Sequence, residues 1–519
     1  MSKDAEVDLK DVELNEMDQE KQPMTADETG NGEAVSPTGT EKNGSVKVKI
    51  PDEKESKFTG LSKEELLRVA GTPGWVRTRW ALLILFWLGW LGMLAGAVAI
   101  IVQAPRCKDL PEMNWWNYGP LYQIGDVKAF SDSQNLQGLE QKIDSLGQLK
   151  VKALVVGPIH VAPANNPETL NFEAVSSEAG TLEQFKGLIQ TAHKKSINVV
   201  LDLTPNYQGS EPWFSNVSVT NVAERLKVAL MFWRSQGVDG VQLSGVERVA
   251  SVVPSLWADI RAIVQNNGTD VEKKRILIGV TDKSSPMEVS VLQNSTGVDL
   301  LMSGVLRSAG MTGMDWAQVV QYLYDTSKQT QLAWGIGDRT QGHLASLVGS
   351  SKVNLHQMLM FTLPGTPVFN YGDEIGLEDE ATSKVPMMLW DPLEEPEGLN
   401  STLKEERNQR LSTRTFFKTL SDLRGKERSL QHGNYIPLFN STSALAYLRV
   451  WDQSIRYVAA VNWGGEAVTL ELTHPELPKE AMVRVSTDTR ALVPDSSVDL
   501  SALVVGPGQA VLLHFPYLG

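Results

Sequence analysis

"INVVLDLTPN", residues 197–206, is a short run of branched and apolar residues closed by Pro205 and Asn206. A run of this length bounded by turn formers points to a strand. Directly before it stands "TLEQFKGLIQTAHKK" (181–195), whose apolar residues recur at helical spacing. The same alternation extends in both directions, with "VKALVVGPI" (151–159) upstream and "VDGVQLS" (238–244) and "RILIGVT" (275–281) downstream. Strands alternating with helical segments mean βα units and a parallel sheet, and near-continuous apolar strands suit a sheet buried on both faces. Past Arg424 the pattern changes. "ALAYLRVW" (444–451), "IRYVAAVNW" (455–463), "AVTLELT" (467–473) and "AVLLHFP" (510–516) follow one another through turns without helices, the pattern of an antiparallel β domain.

Toward the N-terminus, "WALLILFWLGWLGMLAGAVAIIV" (80–102) runs 23 residues without a charge. At about 1.5 Å per residue it spans a hydrocarbon core of roughly 30 Å. It starts too far in, and runs too long, for a cleaved signal peptide. Lys63, Arg68, Arg77 and Arg79 precede it, against Arg106 and Lys108 after it, so the positive-inside rule places the N-terminal tail in the cytoplasm. Five Asn-x-Ser/Thr sites, Asn216, Asn267, Asn294, Asn400 and Asn440, lie beyond the span and would carry N-glycans outside the cell, whereas Asn43 in the tail would stay bare. Gly89, Gly92 and Gly96 recur on one face of the helix, and Gly92-x-x-x-Gly96 permits close approach of a partner helix in lipid. One uncharged helix offers no path for a solute.

Cys107 is the only cysteine in 519 residues and stands just outside the span. An internal disulfide is thus impossible, leaving an interchain bond or a free thiol. Pro105 and Pro111 favour an extended neck in which a partner's loop can reach the sulfur.

Of the net charge of −14, the tail to Arg79 contributes −5 from 12 basic and 17 acidic residues. The outer part is acidic, which argues against nucleic acid as a partner. Residues 1–57 are too polar to bury a core and read as disordered. A short helix should follow, with Ser62 and Glu65 as a capping box and "GTPG" (71–74) as its end, offering Leu66, Leu67 and Trp75 to the inner interface or a partner.

"MLMFTLPGTPVFNYGDEIGL" (358–377) and "PMMLWD" (386–391) resemble the strand-eight region of α-amylase-type glycoside hydrolases; "LDLTPNY" (201–207) and "GVDGVQLS" (237–244) resemble the ends of their strands three and four. The resemblance implies a TIM (β/α)8 barrel followed by a small β-sandwich domain. It also implies where catalysis would sit: retaining hydrolysis needs a carboxylate nucleophile and a carboxylic acid about 5 Å apart. The nucleophile position is Ser244, the Arg two residues before it is Gln242, and the acid position is Val280. The Asn-His-Asp near 336–338 is reduced to Asp338, and the His after Asn206 is Tyr207. Asp202 and Asn206 remain, with Asp202 expected to brace the barrel mouth. A shifted pair, Glu247 and Asp282, is the alternative that would make the chain a membrane-anchored α-glycosidase.

"FTGLSKEELL" (58–67), "GTPGWVRTRWALL" (71–83) and "FWLGWLGMLAGAV" (86–98), together with the cysteine and an amylase-like outer part, resemble the heavy chains of the heteromeric amino-acid transporters. Only 35 residues separate Asn206 from Gln242, too few for the inserted domain that one kind of heavy chain carries there. The resemblance implies a non-catalytic glycoprotein subunit without cofactor or metal. It implies a Cys107 disulfide to a multi-spanning light chain, an exchanger of large neutral, cationic or cystine/glutamate type, and an association with integrin β subunits. The expected organisation is a cytoplasmic tail (1–79), a signal-anchor helix (80–102), a neck (103–112), a barrel (113–425) and an antiparallel β domain (426–519) of a single-pass type II plasma-membrane protein. A free-standing adhesion or receptor ectodomain is the remaining class.

Overall fold

The computed structural model describes residues 60, 62–103, 107–265, 274–307, 310–392, 398 and 400–518. The chain divides into two units, one ending at residue 104 and the other beginning at 105. The expectations for residues 1–57 and for Asn43 and Asn267 lie outside the described residues.

In the first unit, α1 (Lys63–Ala70) opens as expected: the Glu65 N–H donates to Ser62 Oγ at 3.4 Å, and the Ser62 N–H donates to the Glu65 carboxylate at 3.2 Å. Helix α2 (Pro73–Gln103) is 31 residues long and contains the 80–102 run. It begins earlier than the apolar run because Pro73, within "GTPG", occupies the first helical turn, where a missing N–H costs nothing. The same four residues thus end one helix and start the next. Helix α2 is long and apolar enough to cross a membrane, and at about 1.5 Å per residue it exceeds the roughly 30 Å core by a few turns. Gly89, Gly92 and Gly96 all lie within this helix.

The second unit holds a parallel barrel. Its strands are β1 (Leu121–Ile124), β2 (Ala153–Val156), β5 (Asn198–Asp202), β6 (Gly240–Ser244), β7 (Ile276–Val280), β8 (Leu300–Met302), β9 (Ala333–Trp334) and β10 (Thr366–Asn370). A short hairpin, β3 (His160–Val161) with β4 (Asn171–Val175), interrupts the series after β2. The pairing order is β8-β7-β6-β5-β2-β1-β10-β9, and a parallel bridge between Leu301 and Leu332 joins its two ends. Alternation along each strand divides the core. Leu121, Val155, Val200, Ile278 and Val368 fill the lumen, and Tyr122, Leu154, Val199 and Leu201 face the surrounding helices. Trp116 lies with the lumen residues, 1% exposed, with the Lys274 ammonium 5.3 Å from its ring centre.

A second sheet follows in the order β11 (Asn434–Asn440), β12 (Ala444–Val450), β13 (Arg456–Asn462), β18 (Gln509–Phe515), β15 (Glu480–Ser486) and β16 (Ser497–Asp499). Leu445, Tyr447, Tyr457 and Leu512 on one face join the core of the barrel helices. Leu448, Val458, Val483 and Leu513 on the other pack on a two-stranded sheet of β14 (Val468–Leu470) and β17 (Leu503–Val505). Two layers of antiparallel strands make a sandwich. Buried Arg424 and Arg449 join it to the barrel: Arg424 donates to the Leu363 and Gly365 carbonyls and to that of Leu430, and Arg449 to those of Thr362 and Gly433.

Candidate functional site

The C-terminal ends of the barrel strands converge on the place where this fold puts catalysis. Ser244 ends β6 and Val280 ends β7, and the two are direct partners in the β6–β7 ladder. A nucleophile and an acid on these positions would face each other; a hydroxyl and an isopropyl group do so instead. Asp202, Gln242, Asp338, Asn206 and Tyr207 are each hydrogen-bonded. Asp202 accepts from the Thr204 N–H (2.9 Å), the Thr204 hydroxyl (2.6 Å) and Gln242 Nε2 (2.9 Å). Gln242 Oε1 in turn accepts from Gln123 Nε2 at 3.0 Å. Burial pushes the Asp202 carboxyl above its usual range, against the nearby charge of Arg339 and the hydrogen bonds from Thr204 and Gln242. Thr204 Oγ1 also lies 3.2 Å from Ser244 Oγ. Asp202 therefore braces the mouth, as expected.

Asp338 is held by Arg307 and by the N–H groups of Thr340 and Gln341 at 2.7 and 2.9 Å. Burial would raise its pKa, yet the guanidinium of Arg307 and these hydrogen bonds outweigh it and hold the carboxyl below its usual range. Asn206 is spent on the neighbouring loop, donating to Glu211 O at 2.7 Å and Asn165 Oδ1 at 3.0 Å. Tyr207, in place of the expected His, donates to His160 O at 3.2 Å.

Sequence reasoning missed the residue that fills the mouth. Arg339, next to the retained Asp338, donates to the Tyr207 carbonyl at 3.1 Å and lies 5.6 Å from that ring's centre. A β-carbon on Gly125 would meet the Arg339 side chain at 2.6 Å, so the backbone of β1's end gives way to it. The cavity left between Asp202, Gln242, Ser244, Val280, Asp338 and Arg339 is about 30 Å³. That is about a tenth of the smallest ordinary ligand pocket; a second depression of about 270 Å³ borders Arg339, Gly125 and Tyr207. The shifted pair is not assembled either. Glu247 accepts from Thr281 Oγ1 at 3.3 Å, Asp282 is solvent-exposed 3.9 Å from Arg307, and neither lines the cavity. Among the described residues no group of three or more His, Cys, Asp or Glu is placed to hold a metal.

The other singled-out residues lie on the surface. Cys107 is exposed with a free thiol. The Lys108 N–H donates to Asp452 Oδ2 at 3.2 Å, which holds the neck against the turn between β12 and β13. Asn216, Asn294, Asn400 and Asn440 are all exposed. Asn216 and Asn294 stand on helices, Asn216–Ser235 and Pro286–Thr296; Asn400 caps a helix, and Asn440 ends β11.

Fold and mouth together define a class: a membrane-anchored protein on the α-amylase scaffold with Ser244 and Val280 paired at the ends of β6 and β7. The family model for the α-amylase catalytic domain matches residues 126–242, and that for the Solute carrier family 3 member 2 N-terminus matches 46–122. The chain is 43% identical to the amino acid transporter heavy chain SLC3A2 of Oryctolagus cuniculus, over 100% of both chains, and belongs to that family. The rat heavy chain SLC3A1 is 22% identical over 92% of this chain and 89% of its own. An α-glucosidase of Culex pipiens is 22% identical over 82% of this chain and 94% of its own. The crystal structure of the Geobacillus thermoleovorans α-amylase complexed with acarbose superposes with a TM-score of 0.60 at 18% identity, covering 79% of this chain and 100% of that one. At that identity the likeness is one of fold.

Proposed function

We propose that the chain is the non-catalytic heavy subunit of a heteromeric amino-acid transporter. It joins a multi-spanning light chain through a Cys107 disulfide and the Gly89, Gly92 and Gly96 face of α2, brings it to the plasma membrane and stabilises it there. The 43% identity to SLC3A2 along the whole chain carries this reading. The exposed lone thiol on a tethered neck and the pairing of Ser244 with Val280 at the barrel mouth support it. In this reading residues 1–79 are a cytoplasmic tail, 80–102 the signal anchor, 103–112 the neck, 113–425 the barrel and 426–519 the β domain. Glycans sit on Asn216, Asn267, Asn294, Asn400 and Asn440 outside the cell. Integrin β subunits are the second partner, through tail and span.

The bond is tested on a non-reducing gel of membranes from cells expressing the chain. A high-mass band that collapses on reduction and is absent in Cys107→Ser is expected; a band that persists in Cys107→Ser places the bond elsewhere. Peptide mapping after deglycosylation tests the orientation, and a glycan on Asn43 would reverse it.

A further inference from the structure

A groove of about 770 Å³ runs between the outer face of the helix Gly313–Thr326 and β11, well within the ~300–1,000 Å³ of ordinary ligand sites. Met314, Gln318 and Tyr322, at successive steps of four, form its helical wall, while Trp316, Val320 and Leu323 on the opposite side are buried. Met314 and Tyr322 are 43% and 37% exposed, apolar surface left open on a helix that is otherwise packed. Pro437 and Asn440 of β11 form the facing wall. The walls are fixed to each other at one end. A β-carbon on Gly313 would meet the Ala444 carbonyl at 2.3 Å, and the Gly313 N–H donates to Thr442 O at 3.2 Å.

Two further features point to the occupant. Asn440 is exposed within an Asn440-Ser441-Thr442 glycosylation site and is itself one of the residues that line the groove. Gln318 and Asp325 line the same groove, and Gln321 Nε2 donates to both oxygens of Asp325 at 2.9 Å, which sets a polar strip beside the apolar one.

We propose that this groove seats the N-linked oligosaccharide of Asn440, with the first sugars lying along the helix. The apolar C–H faces of the pyranose rings pack on Tyr322, Met314 and Pro437. Hydroxyl and acetamido groups exchange hydrogen bonds with Gln318, Gln321 and Asp325. A glycan tethered at a residue that lines the groove reaches it at high effective concentration, so individually weak contacts suffice. Seating it also covers β11, the edge strand of its sheet. That edge is already blunted by Pro437 and by the register shift between Pro437 and Phe439. The proposal rests on the extracellular placement of the outer part.

The full-length chain from mammalian cells, in detergent, is treated with peptide N-glycosidase F with and without prior denaturation, and release is followed site by site by peptide mapping. Asn440 is expected to be occupied and released at least tenfold more slowly than Asn216 and Asn294 in the native protein, with the difference gone after denaturation. Tyr322→Ala and Met314→Ser should each bring native release at Asn440 toward the Asn216 rate and leave the other sites unchanged. Release at Asn440 as fast as at Asn216, or slow release indifferent to both substitutions, would overturn the seating while leaving the topology intact. A bare Asn440 beside occupied neighbours would do the same. Absence of glycan from every outer site would overturn the extracellular placement along with it.

Discussion

Replacing Ser244 with Asp restores the family's nucleophile in name and shows why the scaffold does not take it back. Thr204 Oγ1 lies 2.6 Å from Asp202 Oδ1 and 3.2 Å from Ser244 Oγ, so the new carboxylate would stand one hydroxyl away from an existing buried one. Two such charges about 5 Å apart repel by up to about 3 kcal/mol at an effective dielectric constant of about 20, equivalent to about two pKa units on the new group. A carboxyl whose pKa is raised in the folded state weakens folding only where the unfolded chain ionises it. The penalty of Ser244→Asp should therefore be absent below about pH 4 and complete above about pH 6. Thermal unfolding of the detergent-solubilised chain at pH 4 and pH 7.5 measures this: the variant should match the wild type at the lower pH and melt clearly below it at the higher. Adding Val280→Glu should still give no turnover of α-glucosides, since the cavity of about 30 Å³ excludes a sugar ring. A pH-independent loss would refute the coupling to Asp202. Turnover abolished by reverting either substitution would refute the filled mouth.

Asp338→Asn removes the close, buried carboxylate of Arg307, leaves only the exposed Asp282 at 3.9 Å, and should cost about 1.5–3 kcal/mol. Because the native Asp338 carboxyl is held below its usual range, that stability is present above about pH 4 and fades as pH falls further, so denaturation midpoints of variant and wild type should converge in acid. Arg449→Met strips donors from the buried Thr362 and Gly433 carbonyls and should lower stability by about 2–5 kcal/mol. Its loss should appear in limited proteolysis as early cleavage between the barrel and the sandwich. Gly92→Leu with Gly96→Leu should reduce co-purification of a light chain about tenfold, even with Cys107 intact, because the glycine face of α2 no longer admits a neighbouring backbone. Recovery equal to wild type would place the lipid-phase contact on another face.

Much of this architecture is legible in the sequence because burial on both sides of a parallel sheet leaves apolar runs that few other arrangements need. Strands β2, β5, β6 and β7 are such runs, and β12, β13 and β18 show the change to turn-linked strands. Strands β8 and β9 are three and two residues long, too short for any periodicity to register, and barrel closure is what makes them strands. The pairing of Ser244 with Val280 at the ends of β6 and β7 is equally legible, since both sit at recognisable strand ends. The filling of the mouth is not. Arg339 acts through Tyr207, 132 positions away in the chain, and through a glycine, Gly125, whose missing β-carbon makes room for it. The start of α2 ahead of the apolar run is hidden for a local reason: a proline after a helix end reads as a stop, yet Pro73 is equally suited to a first turn.

The most direct test expresses this chain in cells that lack their own heavy chain but make an amino-acid transporter light chain, and measures light-chain surface abundance and amino-acid uptake together. Wild-type chain should restore both. Cys107→Ser should lose the covalent complex and keep much of the delivery, because the disulfide secures contacts already made. Surface abundance and uptake that are the same with and without the chain would contradict its role as a heavy subunit.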